Sequence, residues 1–180
     1  MAKKVLKIVG GVLGALVLIV VIYVVYVMTS YYRLDDSLSL ETASPEEGQV
    51  ESAIELNTGS QGRAQEFTIV SANLGFGAGS GSVAPSAQYV SANINGSADA
   101  IEGLDPDIVL FQEVDIDGTR SHGVDEYALL RNDFPTLCSV FAQNYDSPYL
   151  AWPLYAPHGK NKAGMATFSR YQIESTLRRS

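Results

Sequence analysis

Two polar side chains in this chain stand where apolar runs give out, and both are of types that handle phosphate and hard cations. The first is Glu113, which follows Ile108-Val109-Leu110-Phe111 in the stretch from Asp105 to Asp115. Four consecutive apolar residues, opened by Pro106 and closed by polar residues, predict a strand covered on both faces with Glu113 emerging at its tip. A carboxylate fixed on a rigid strand end suits Mg²⁺, which takes one or two protein carboxylates and leaves its other positions to water and substrate phosphate. The second is Asn73, which ends the β-branched run Phe67-Thr68-Ile69-Val70-Ser71-Ala72 and precedes a glycine-rich turn. Its two-sided amide can hydrogen-bond a phosphate or help position a metal, and the plainer alternative is a turn residue before Gly75.

Other side chains carry weaker signals. Arg120 presents a planar fork that suits either a phosphate or a structural carboxylate such as Asp115. Asn144 precedes the turn Asp146-Ser147-Pro148 and either lines a cleft or caps a strand. Lys160 and Lys162, beside Gly159, attract phosphate or are ordinary solvated charges. His122 and Asp125 read as loop and helix-cap residues, and Ser169 has no nucleophile elbow or triad around it. Cys138 is the single cysteine; it makes no internal disulfide and reads as a small, inert, buried apolar residue.

The two strand-ending segments are followed in order by Asp115–Ser121, Phe141–Pro148, Pro157–Gly164 and Phe168–Tyr171. This ordered series resembles the endonuclease/exonuclease/phosphatase superfamily, the deoxyribonuclease-I-like fold, in a membrane-anchored bacterial branch, and covers the chain from Phe67 onward. The resemblance implies an α/β (α+β) four-layer α/β/β/α sandwich of which residues 67–180 supply the amino-terminal half. It also implies that Asn73 and Glu113 sit side by side at the metal and phosphate site, with Mg²⁺ or Mn²⁺ as cofactor. His158 then falls on a loop at the rim of the active cleft, where it meets either substrate or solvent, and Arg120 and Asn144 become substrate-binding candidates. The family's later motifs, an Asp-x-Asn and a carboxy-terminal Asp-His pair, lie beyond Ser180 on this reading. The expectation is therefore an inactive chain, or one that requires a complementing carboxy-terminal half.

These residues need elements to hold them. Ser86 to Leu104 predicts a helix with Tyr89, Ile94, Ala98, Ile101 and Leu104 on one stripe, between the two strands, which makes a strand, helix, strand unit. Val124 to Phe134 predicts a second helix, ended by Pro135. Further strands are expected at about Ser139–Gln143, Gly164–Ser169 and Ile173–Arg178.

The amino-terminal region is of another kind. No charged residue occurs from Ile8 to Tyr32, a run long enough to cross a bilayer as a helix. Lys3, Lys4 and Lys7 precede it and Asp35, Asp36 and Glu41 follow, so the positive-inside rule puts the amino terminus in the cytoplasm and the rest outside. Tyr23, Tyr26, Tyr31 and Tyr32 crowd the outer end as an aromatic belt. A signal peptide would have a shorter apolar core and small residues at a cleavage site, and Met28–Tyr32 offers a poor one. Residues 1–33 thus form a stub and anchor that contacts lipid through residues 8–32. Residues 34–66, rich in Ser, Glu, Gly and Gln, read as an acidic tether, with a short edge strand near Leu38–Leu40 as an alternative.

The net charge of −8 disfavours strong nucleic-acid binding. Together these features predict a single-pass membrane-anchored, extracytoplasmic, Mg²⁺-dependent phosphoesterase of unspecified substrate class. The competing expectation is a non-catalytic membrane-anchored remnant or interaction module.

Overall fold

The computed structural model describes residues 2–31, 33–45, 50 and 66–179. The uncharged run forms one helix, α1 (Ala2–Ser30), long and apolar enough to span a membrane. Tyr32 and most of the expected tether lie outside the described residues. Within the tether, Leu38–Ser39 (β1) and Thr42–Ala43 (β2) are short strands, so this stretch is partly built into the fold.

The segment ending in Asn73 is β3 (Ile69–Asn73), and α2 (Ala87–Glu102) follows it. Ser86 starts this helix by accepting a hydrogen bond from the Tyr89 amide at 3.2 Å, which satisfies one of the amides that a helix start leaves open. The buried stripe is Val90, Ile94, Ala98 and Ile101, whereas Tyr89 and Leu104, expected on it, are exposed. Next come β4 (Ile108–Gly118) and α3 (Glu126–Asp133), the latter capped by Asp125, whose carboxylate accepts from the Ala128 amide at 2.9 Å. Two long strands, β5 (Cys138–Leu150) and β6 (Gly159–Ser169), extend well beyond their expected bounds. Near the end only Leu177–Arg178 (β7) is a strand, and it pairs with β1 in a separate two-stranded sheet.

The main sheet has the order β2-β5-β6-β4-β3, with β3 and β4 parallel and the other pairs antiparallel. The helices α2 and α3 lie on one face, so the described part is a mixed α+β arrangement of a helical layer on a sheet. The core sits between them. Phe168 is fully buried there, edge-on to Phe111 at 5.6 Å between ring centroids and 5.7 Å from Phe134, with Val109, Val114 and Leu130 around it.

The expectation that β4 is covered on both faces is corrected. Val109 and Phe111 point to the helices, while Leu110 is exposed on the opposite face, as are Ile69 of β3 and Met165 of β6. Four apolar residues in a row place two on each side of a pleat, and the run alone does not say whether both sides are covered. Because Phe168 is fully buried and packs against Phe111 of β4 and Tyr127 of α3, Phe168→Ala should lower stability by about 3–5 kcal/mol. Denaturant unfolding followed by circular dichroism would check this, and an unchanged midpoint would contradict the core described.

Candidate active site

Glu113 does not lie at a strand tip. It sits inside β4 at a bulge, where the pairing with β6 passes from Phe111 opposite Ala166 to Val114 opposite Gly164. One extra residue on β4 interrupts the alternation, and Glu113 absorbs it with a φ of +55°. A non-glycine residue in that region costs about 1–2 kcal/mol. Strain of this kind collects where a side chain must be re-aimed, and here it turns the Glu113 carboxylate into a cleft rather than onto a sheet face.

The neighbour of Glu113 is set by strand pairing. The parallel register of β3 and β4 places Asn73 opposite Gln112, and Asn73 Nδ2 donates to Glu113 Oε1 at 3.0 Å. The other end of the amide accepts from the Gly75 amide at 2.9 Å. A backbone N–H only donates, so the atom facing Gly75 is the Asn73 oxygen, and the nitrogen is left for Glu113. The turn role and the site role of Asn73 are one arrangement. The Asn73 oxygen is thus engaged by the turn, while toward Glu113 the side chain offers a donor that orients the carboxylate.

A cleft of about 430 Å³ opens beside this pair, and Glu113, Arg120, Asn144 and His158 all line it. Four residues named from separate segments thus converge on one cavity. Arg120 spends its fork on Asp115: Nε donates to Oδ2 at 3.0 Å and Nη2 to Oδ1 at 2.7 Å. The same guanidinium stacks 3.8 Å from the centre of the Phe76 ring, whose other neighbour is the His158 ring at 5.6 Å. Of the two partners expected for Arg120, the carboxylate is realised, and phosphate contact is left to an edge of the fork. Burial, and then the charge of Arg120, hold the His158 imidazole below its usual pKa, against a smaller opposing pull from Asp115. It is accordingly neutral at pH 7, with one ring nitrogen to donate and one to accept.

The remaining candidates fall elsewhere. Lys160 pairs with Asp117, and His122 contacts the Ala84 carbonyl through Nε2 at 2.6 Å. Ser169 is buried and accepts from the Tyr171 amide, and Cys138 is a buried free thiol.

Several residues of the site carry no clear mark in the sequence. Phe76 sits between Gly75 and Gly77, and all three adopt positive φ in a single 3₁₀ turn. An aromatic residue flanked by two glycines at a strand end is the one signal available, because glycine adopts that backbone without penalty. Beneath the cleft, Asp115 and Glu126 are fully buried carboxyls. Asp115 receives Arg120 and the Ser121 hydroxyl at 2.9 Å, while its amide donates to Glu126 Oε2 at 2.9 Å. Glu126 Oε1 has no hydrogen-bond partner. Burial is the main cause that raises the Glu126 pKa to about 8; the Asp115 amide bond opposes it, Asp115 adds to it, and Arg120 and Asp125 make smaller opposed contributions.

As for a metal, no group of three or more His, Cys, Asp and Glu side chains is placed to hold an ion among the described residues. Glu113 is an exposed carboxylate oriented by an amide and facing the cleft. That donor set fits a cation which binds through a single protein carboxylate and fills its other positions with water and phosphate oxygens.

A model of the Endonuclease/Exonuclease/phosphatase family matches residues 71–180, which takes in Asn73, Glu113 and the whole cleft. Comparisons with curated proteins and with solved structures found no match.

The buried acid gives a stability prediction with a definite sign. Since the folded-state pKa of Glu126 lies above its unfolded value, its contribution is fully present below about pH 4.5 and is lost as pH rises toward 8. Each pKa unit corresponds to about 1.4 kcal/mol, so the loss is on the order of a few kcal/mol. Glu126→Gln keeps an oxygen for the Asp115 amide and removes the titration. Thermal unfolding at pH 5 and pH 8.5 should show wild type losing stability relative to Glu126→Gln at the higher pH, and parallel pH profiles would refute the assignment.

Proposed function

The chain belongs to the endonuclease/exonuclease/phosphatase family, and on that premise we propose that it carries the metal and phosphate side of a phosphoesterase site, held outside the cell membrane by α1. The observation that supports this best is the Asn73–Glu113 contact at the cleft: two residues forty positions apart meet at 3.0 Å, with the carboxylate in a strained backbone. Glu113 would hold Mg²⁺ or Mn²⁺, which when bound supplies Lewis-acid polarisation of a phosphoryl oxygen.

The chain's own residues set the surroundings. Asn73 fixes the rotamer of Glu113 by donating to Oε1, so the second carboxylate oxygen is directed without further ordering cost. Arg120 adds positive potential to the cleft wall, and its pairing with Asp115 keeps that charge in place rather than letting it swing to solvent. His158, neutral and tilted against the Phe76 ring, presents a ring N–H to an anionic ester oxygen. Asn144, exposed in the cleft lining, offers an amide to the ester or its leaving group. The substrate is thus a phosphoester, and the acidic chain weighs against a polyanion bound by charge alone.

Manganese titration of the full chain, read by calorimetry, should show one saturable site that Glu113→Gln removes and Asn73→Ala weakens roughly tenfold or more. Uptake unchanged in Glu113→Gln would sink the metal assignment and favour a binding module without chemistry. For topology, protease added to intact cells should remove the region beyond Tyr32, and protection of that region would reverse the orientation read from Lys3, Lys4 and Lys7.

A further inference from the structure

Beside the cleft, β5 and β6 are joined by a loop of which the proposed chemistry uses only its last residue, His158. From Tyr149 to Pro157 it carries no charged side chain, in a chain with net charge −8. Trp152 is 68% exposed, Leu154 78% and Tyr155 87%, and Tyr149 is exposed beside them. Large apolar and aromatic side chains grouped on one loop tip are what a soluble surface avoids and an interaction surface uses.

Contacts with α1 fix where this loop lies. The Ala151 amide donates to the Tyr23 hydroxyl at 2.9 Å, and the Tyr31 ring meets Tyr145 edge-on at 5.9 Å between centroids. Tyr23, Val27 and Tyr31 are half-buried, and their spacing of four residues puts Tyr23 and Val27 on one stripe of α1 with Tyr31 in line just past its end. The folded part is therefore seated against the last two turns of α1 rather than beyond its end.

Helix geometry converts this into depth. At about 1.5 Å per residue, α1 rises about 30 Å from Lys3 to Tyr23, the thickness of a bilayer's hydrocarbon core. With the lysine ammonium groups at the inner boundary, Tyr23 stands at the outer one, where tyrosine and tryptophan concentrate. The loop bonded to Tyr23 is at the same level. Tyr145, which lines the cleft, lies near Tyr31, about 12 Å further along the helix and so in the headgroup layer.

We infer that the Tyr149–Pro157 loop is a membrane-docking loop: Trp152, Leu154 and Tyr155 insert into the outer interface of the bilayer that α1 spans, and so hold the cleft at the level of lipid phosphates. The inference rests on the reading of α1 as an anchor. Because the loop is uncharged, docking requires no anionic lipid and is insensitive to salt. The occupant is the apolar–polar boundary of a lipid bilayer, since the loop shares its level with the anchor's own aromatic residues.

Trp152 is the only tryptophan in the chain, so its fluorescence reports the loop directly. The full chain would be reconstituted into neutral phosphatidylcholine vesicles, with flotation reporting the anchor independently. The expected result is blue-shifted emission and a several-fold lower acrylamide quenching constant than in the Leu154→Glu/Tyr155→Glu double variant, which should float equally well. Lipids brominated near the top of the acyl chain should quench Trp152 more than lipids brominated near the chain end, in low and high salt alike. A chain that floats while Trp152 emits as in water and is quenched freely by acrylamide would overturn the docking loop and leave the anchor standing. A shielded Trp152 that brominated lipid does not quench would also overturn it, since protein would then be the cover. Failure to float would remove the anchor, and this inference with it.

Discussion

The parallel pairing of β3 with β4 is the constraint from which the site follows. It puts Asn73 level with Gln112, and a single extra residue in β4 then brings the next side chain, Glu113, around to meet the Asn73 amide. Without the bulge the pleat would continue to alternate, and the carboxylate would face away from the asparagine opposite its neighbour. The positive φ at Glu113 is the local cost of that arrangement, and the hydrogen bond from Asn73 offsets part of it.

Around this pair the cleft is built on charges that are themselves supported. Arg120 is held by Asp115, Asp115 by Ser121 and through its amide by Glu126, and Glu126 by the start of α3, where Asp125 caps the helix. A positive group in the wall of a phosphate site is most useful when it does not have to be ordered by the substrate. The neutral form of Glu126 suits the same end, because a third charge in contact with Asp115 would compete with Arg120 for control of that carboxylate.

The helix α1 is more than a leader attached to a domain. Its last two turns share a hydrogen bond and an aromatic contact with β5 and the loop after it, so the orientation of the folded part relative to the helix axis is determined by packing. The side of the cleft that carries Tyr145 and Leu150 is the side that meets the helix. Position along α1 thus fixes where the exposed aromatic loop and the cleft lie beside the helix.

Parts of the molecule whose signals are local could be read along the chain. Apolar runs ending in Asn73 and Glu113 marked β3 and β4, the apolar spacings after Ser86 and Val124 marked α2 and α3, and the uncharged run marked α1, because each depends on side chains within a few residues of one another. The same segments, taken in order, were enough to indicate the family. Tertiary structure alone decided what depends on pairing between distant residues: the bulge that places Glu113 inside a strand, the Asn73 oxygen turned to Gly75, and the pairing of Arg120 with Asp115. It also decided that Leu110 is exposed, since a hydrophobic run records a side chain's preference and not whether another layer lies over it. The loop at Trp152 gained its meaning in the same way. Its apolar residues were visible in the chain, and only the bond to Tyr23 placed them beside α1.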